Sequence, residues 1–266
     1  MLSTAVTTQS PHQELPKFGP GLNTFAVGRG LIGIRKRYTS NMEIFGDGEP
    51  VEYFYEVVRG LVRSCKILGN GRRQITGFHM PGEVFGLELD DEHHFSAEAV
   101  SDAIILAVKR SAIMGLAGRD VHFARELWAV AARDHQRVQN HIVILGSMNA
   151  RQRVAAFLLM VPCGSGDHEI ELSMSRRDIA DYLGLTIETV SRTVMQFEKE
   201  AVIGIPSARR VVLRDRAVLT RVAFHDNSTD VSCLPQHSHK FEQTISYNQQ
   251  RSSNLLTANQ KALEPG

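Results

Sequence analysis

Three side chains in the last third of the chain, Glu188, Ser191 and Arg192, have the types and spacing to read base edges in a DNA major groove. Residues three and four apart share one side of a helix, so all three would project together. There a carboxylate accepts a hydrogen bond from a cytosine amino group, and a guanidinium donates twice to guanine O6 and N7. An ordinary Glu–Arg pair on a solvated helix face has the same spacing and is worth a few tenths of a kcal/mol. The surrounding elements therefore decide between the two.

Ser175 followed by Asp178 has the form of a capping box and predicts a helix over residues 176–183, with Ile179, Ala180 and Leu183 on its buried side. Gly184 supplies the tight turn. Thr186 caps a second helix in which Ile187, Val190, Val194 and Phe197 recur at three- and four-residue steps, leaving Glu188, Ser191, Arg192 and Met195 on the other face. Two short helices around a glycine turn make a helix-turn-helix. Downstream, residues 203–206 and 211–213 read as a hairpin wing with Arg209 and Arg210 near its tip. Arg176, Thr186, Thr189, Arg209 and Arg210 are the expected contacts to the DNA backbone. For the arginines a solvated surface is the competing reading. Residues 173–224 hold nine Lys and Arg against six Asp and Glu, a modest basic excess.

Upstream, Leu127, Ala131, Asp134, Val138, His141, Leu145 and Met148 are spaced alternately four and three apart, an a/d seam about three heptads long. Such a seam packs either on its own domain or against a second copy in a two-fold dimer, the reading its length favours. Asp134 would then face its own copy, and two close carboxylates would tune dimerisation. Earlier still, residues 53–59, 61–67, 74–79 and 104–108 are strand-like runs separated by glycine turns, with Gly69-Asn70-Gly71 as the clearest hairpin. Short strands at this spacing predict a small antiparallel barrel or roll. The fold class is therefore α+β.

The 266 residues carry a formal net charge of +1, with 42% hydrophobic and 22% charged side chains. That excludes a wholly disordered chain, and total charge alone gives no hint of nucleic acid. The expected organisation is a disordered N-terminus over 1–22, a roll over 23–115, a dimerisation helix over 116–149, a winged helix-turn-helix over 150–224 and a disordered tail over 225–266. No apolar run reaches the ~20 residues of a membrane span, and the start lacks a signal pattern, so a cytoplasmic protein without membrane partners is expected. Cys65, Cys163 and Cys233 lie too far apart for a disulfide framework or a metal pair. Cys163, in a predicted flexible loop, is a possible redox site. The run Asp90-Asp91-Glu92-His93-His94 and the tail residues Cys233, His237 and His239 have metal-ligand types but read as solvated segments. No metal site is expected, and no nucleophile–base set supports an enzyme.

The segments QITGFHMPGEVFG at 74–86, RVAAFL at 153–158 and RDIADYLGLTIETVSR at 177–192 resemble the Crp/Fnr family of bacterial transcription regulators, and within it the FixK branch. The resemblance spans about residues 46–224. It implies a β-roll like that of cyclic-nucleotide-binding domains, a long dimerisation helix and a winged helix-turn-helix. It further implies a homodimer that reads a TTGAT-N4-ATCAA-like palindrome through Glu188, Ser191 and Arg192 and recruits RNA polymerase. Such regulators chiefly activate genes of low-oxygen respiration or nitrogen fixation. Two departures from relatives bear on ligands. Residues 80–107 contain no Arg or Lys to pair with a cyclic phosphate. No cysteine precedes Cys65, whereas iron–sulfur members carry an N-terminal cluster. No cofactor is therefore expected, and the alternative is a roll gated by an unidentified small molecule.

Overall fold

The computed structural model describes residues 30–163 and 168–224. The segments 1–22 and 225–266 lie outside the described residues.

Eleven described strands and six described helices succeed one another. The roll consists of β1 (Gly33–Tyr38), β2 (Glu43–Phe45), β3 (Tyr53–Arg59), β4 (Val62–Ile67), β5 (Arg73–His79), β6 (Val84–Phe85), β7 (Ser96–Ala99) and β8 (Ala103–Lys109). They form two antiparallel four-stranded sheets in the orders β1-β8-β3-β6 and β2-β7-β4-β5. The hairpin expected at 69–71 joins β4 to β5, with Val62 opposite His79, Ile67 opposite Arg73 and Gly71 at φ +76°. β3 and β8 bury a nearly continuous run of Tyr, Phe, Val, Ile and Ala, as central strands covered on both faces must.

Between the sheets Phe45, Tyr55 and Phe85 pack ring on ring with two imidazoles. His93 stacks on Phe45 at 3.7 Å and His79 on Phe85 at 5.1 Å between centroids. Gly86, at φ +71°, lies so close under these rings that a Cβ would sit 3.0 Å from Tyr55 and 3.3 Å from Phe45. The 88–94 run closes on itself, with Glu88 bound to His93 and Asp90 to His94.

Two helices follow, α1 (Arg110–Ala117) and α2 (Val121–Ser147). The segment 116–149 thus begins with the end of α1 and a turn, after which Asp120 caps α2 by accepting from the backbone N–H of His122 and Phe123. Ile113, Phe123 and Val130 pack on the outer side of the first sheet against Val51, Phe54, Val84, Leu106 and Val108. α2 is 27 residues long, about 40 Å.

The C-terminal part contains α3 (Ala150–Met160), β9 (Glu169–Glu171), α4 (Arg176–Leu183), α5 (Ile187–Lys199), β10 (Ile203–Ser207), β11 (Arg210–Leu213) and α6 (Arg216–Phe224). β9 adds to the predicted hairpin, giving a three-stranded wing in the order β10-β11-β9. The core of this part is continuous with the roll: Leu61, Cys65, Ile75 and Val100 belong to the same cluster as Phe157, Leu183, Val194 and Phe197.

The residues expected to form the α2 seam are for the most part covered within the protomer. Of its seven residues only Ala131 and Val138 are exposed. Leu127 packs on the outer roll cluster, and Met148 packs on the C-terminal core. His141 is buried, its ring stacked on Tyr182 at 3.9 Å and its Nε2 donating to the Tyr182 carbonyl at 2.9 Å. Asp134 accepts from Arg137 of its own helix. Arg137 in turn bonds the Phe78 carbonyl, Glu83 and His79 of the roll. The exposed line is each seam position plus one: Trp128, Ala132, His135, Gln139, Ile142 and Gly146, about 100° further round the helix. Trp128 is 75% and Ile142 62% exposed.

Burial of two imidazoles sets a pH dependence. Arg137 donates to Nδ1 of His79, and Nε2 faces Ser64 Oγ at 2.8 Å, an arrangement that suits the neutral ring. Burial, with the nearby Arg137 charge, holds the His79 pKa well below its usual value, and burial lowers that of His141. An unfolded imidazole titrates near ~6.5, so below that pH the unfolded chain binds more protons and the fold loses stability. The urea midpoint should fall between pH 7.5 and 5.5, and His79→Gln should flatten that slope. A slope unchanged by His79→Gln would show that other groups carry it.

Candidate nucleic-acid interface

The two helices α4 and α5 are punctuated as their sequence dictates. Ser175 accepts from the backbone N–H of Asp178 while the Asp178 carboxylate accepts from the Ser175 backbone N–H, a complete capping box. Gly184 ends α4 in the left-handed conformation at φ +62°, and Thr186 caps α5 by accepting from Thr189 N. Val190, Thr193, Val194 and Phe197 bury one side of α5. Its opposite side presents Glu188, Arg192 and Met195 to solvent, with Ser191 half-buried at the margin.

Glu188 is held ionised. Its own backbone N–H, the Thr186 hydroxyl and the charge of Arg192 all lower its pKa. It is thus an anionic acceptor beside a donor fork, the complement of the amino donor and the O6/N7 acceptors that a C·G base pair presents in the major groove. Thr186 and Thr189 hydroxyls lie 3.0 Å apart at the helix start, where backbone N–H groups and the dipole favour a phosphate.

The expected backbone contacts divide. Arg209 is exposed in the β10–β11 turn. Arg210 makes an ion pair with Glu169 of β9 at 2.6 Å, so its charge is partly spent within the wing. Arg176 is half-buried, with Nη1 shielded from solvent and lacking a hydrogen-bond partner among the described residues. Cys163 bridges to Ile170, with Arg216 Nη1 3.7 Å from its sulfur.

Sequence reasoning missed what docks this unit on the roll. Arg63 donates from Nε and Nη2 to Glu98 at 2.8 and 2.6 Å and from Nη1 to Asp178 at 3.1 Å. Arg73 donates to Asp178 at 2.6 Å and to Asp181 at 2.9 Å. Gln74 adds a bond to the Asp181 carbonyl at 2.8 Å. Burial alone would raise the pKa of Asp178, but the Ser175 hydrogen bonds and the two arginines outweigh it and hold the carboxyl ionised. No sequence signal links β4 and β5 to α4, since these partners lie more than a hundred residues apart.

Among the described residues no helix is long and apolar enough to cross a membrane, and no three His, Cys, Asp or Glu are grouped to hold a metal. In the roll, Phe45, Tyr55, Phe85 and His93 stack on one another between the sheets, and residues 80–107 contain no Arg or Lys.

Comparison with known proteins agrees with this geometry. Residues 152–222 match the Crp-like helix-turn-helix domain, and residues 35–120 match the cyclic nucleotide-binding domain. The chain is 48% identical over 197 residues to the nitrogen fixation regulation protein FixK of Azorhizobium caulinodans, covering 72% of this chain and 79% of that protein. It is 39% identical to the protein of the same name from Rhizobium meliloti, covering 65% and 80%. The structure of FixK2 from Bradyrhizobium japonicum superposes with a TM-score of 0.70 at 46% identity, over 72% of this chain and 98% of that one. A roll carrying a helix-turn-helix, together with these likenesses, places the chain in the Crp/Fnr family of DNA-binding transcription regulators, to which it belongs as a relative of the FixK proteins.

Proposed function

We propose that this chain is a FixK-type regulator, mainly an activator, that binds a TTGAT-N4-ATCAA-like palindrome as a homodimer and recruits RNA polymerase in the cytoplasm. It controls genes of low-oxygen respiration or nitrogen fixation, and it works without a cyclic nucleotide or an iron–sulfur cluster. The observation that carries this reading is the groove-facing side of α5, where an ionised Glu188 and Arg192 stand together next to Ser191. The names of the FixK relatives support the regulon. The aromatic filling of the roll supports independence from a cyclic nucleotide. The exposed line through Trp128 and Ile142 supports the dimer.

The test is binding of the purified full-length chain, without additives, to the palindrome and to random DNA over a range of salt. Specific binding with a steep salt dependence is expected. Arg192→Ala should cost about 1–3 kcal/mol per half-site on the palindrome and little on random DNA. Equal losses on both would make Arg192 a phosphate contact and remove it from base reading. Binding only after addition of a small molecule would favour the gated roll instead.

A further inference from the structure

The groove-facing side of α5 holds one residue that polar base reading does not use. Met195 is 67% exposed and belongs to none of the hydrophobic clusters, although the helix buries Val190, Val194 and Phe197 and packs the partly buried Ile187 against the same core. Seven residues separate it from Glu188, two turns less about 20°, so it stands almost in line with Glu188 and about 10 Å further along the axis. It is also three residues beyond Arg192 and four beyond Ser191, adjacent to both on the helix surface.

Its neighbour in sequence is turned away. Gln196, whose amide has the right pattern to read adenine, donates instead to Glu200 at 3.0 Å. Arg151 grips the same carboxylate through both of its terminal nitrogens, at 3.0 and 2.5 Å, and lies 4.7 Å over the Phe197 ring. This lock fixes the far end of α5 and leaves the Met195 thioether one turn past Arg192. In the major groove the one apolar feature of any base edge is the thymine C5-methyl group. A flexible, polarisable thioether adapts to such a target.

We propose that Met195 is a specificity determinant that reads a thymine methyl group in each half-site. Glu188 and Arg192 then read a G·C pair by hydrogen bonds, while Met195 reads a thymine about two to three base pairs away by contact, given a base rise of ~3.4 Å. This rests on the DNA-reading role of α5, and the TTGAT half-site places thymines within that reach of its guanine.

The experiment replaces each thymine of the palindrome in turn, symmetrically in both half-sites, by deoxyuridine, which keeps the base pair and removes the methyl group. Dissociation constants are measured for the wild-type chain, Met195→Ala and Met195→Leu. At one position the wild type should lose about tenfold, the effect of withdrawing one methyl contact per half-site. Met195→Ala should bind the unmodified palindrome about tenfold more weakly and be indifferent to deoxyuridine at that position, while keeping wild-type sensitivity at the others. Met195→Leu should restore the sensitivity, because the requirement is apolar contact. Met195→Ala binding the palindrome as tightly as wild type, or responding to every deoxyuridine as wild type does, overturns the proposal while leaving the role of α5 intact. A wild type that fails to distinguish the palindrome from random DNA overturns both.

Discussion

Replacing Asp178 with alanine should lower the free energy of unfolding by about 3–5 kcal/mol, the range for removing one partner of a buried ion pair. Asp178 is 4% exposed and serves two purposes at once. It closes the capping box of α4, and it accepts Arg63 and Arg73 from the roll. Alanine leaves Arg63, itself buried, with Glu98 as its remaining carboxylate, and leaves Arg73 with Asp181 and a more distant Glu98. The lost cap alone accounts for roughly 1 kcal/mol, so most of the effect comes from removing the carboxylate that Arg63 and Arg73 share. Asp178→Asn separates the terms, because an amide keeps an acceptor for the cap and lacks the charge. Urea unfolding followed by circular dichroism measures all three proteins. A loss below about 1 kcal/mol for Asp178→Ala would mean that water enters the cluster and screens it as it screens a surface pair. The pH dependence has a definite sign: the folded carboxyl titrates below its unfolded value, so this stabilisation is present above about pH 4 and disappears as pH falls through the lowered folded value.

The recognition unit was legible because each of its signals is local. Ser175, Gly184 and Thr186 mark helix ends within three residues of what they cap, and the buried positions of α5 recur at helical steps. β3 was legible through its Tyr, Phe and Val residues, which Glu56 alone interrupts before Arg59. β1 was not: GIRKRY exposes Arg35, Lys36 and Arg37 on an edge strand, where solvated charge hides the pattern. α3 escaped for the opposite reason. It is buried on nearly every side from Val154 to Leu159, so it shows no amphipathic period. The spacing on α2 left open what its apolar face meets, because apolar spacing does not say which neighbour a face packs on. Leu127 and His141 satisfy the heptad rule yet face their own protomer, and only the positions of the first sheet and of Tyr182 reveal it. The Arg63–Asp178 contact had no local signature at all.

The exposed line through Trp128 and Ile142 gives the proposed dimer its strongest test. Ile142→Asp should convert the chain to monomers and weaken binding to the palindrome by about 10²–10⁴-fold, the gain lost when two half-sites are no longer engaged through one linked pair. Ile142 is 62% exposed, so the substitution disturbs little within the protomer, whereas at the proposed interface the two copies would bring two carboxylates together in place of an apolar contact. Asp134→Ala should act differently. Its carboxylate is bound to Arg137, and its loss should loosen the hold of Arg137 on His79 and Glu83 before it touches association. Sedimentation equilibrium gives the association constant of each variant. Trp128, the single tryptophan, reports independently: its emission should shift to the blue on association in the wild type and stay red-shifted in Ile142→Asp. If Ile142→Asp sediments as the wild type does while Asp134→Ala dissociates, the interface lies on the side of Leu127, Asp134 and His141 after all. In that case His141 would have to leave Tyr182 for two copies to meet.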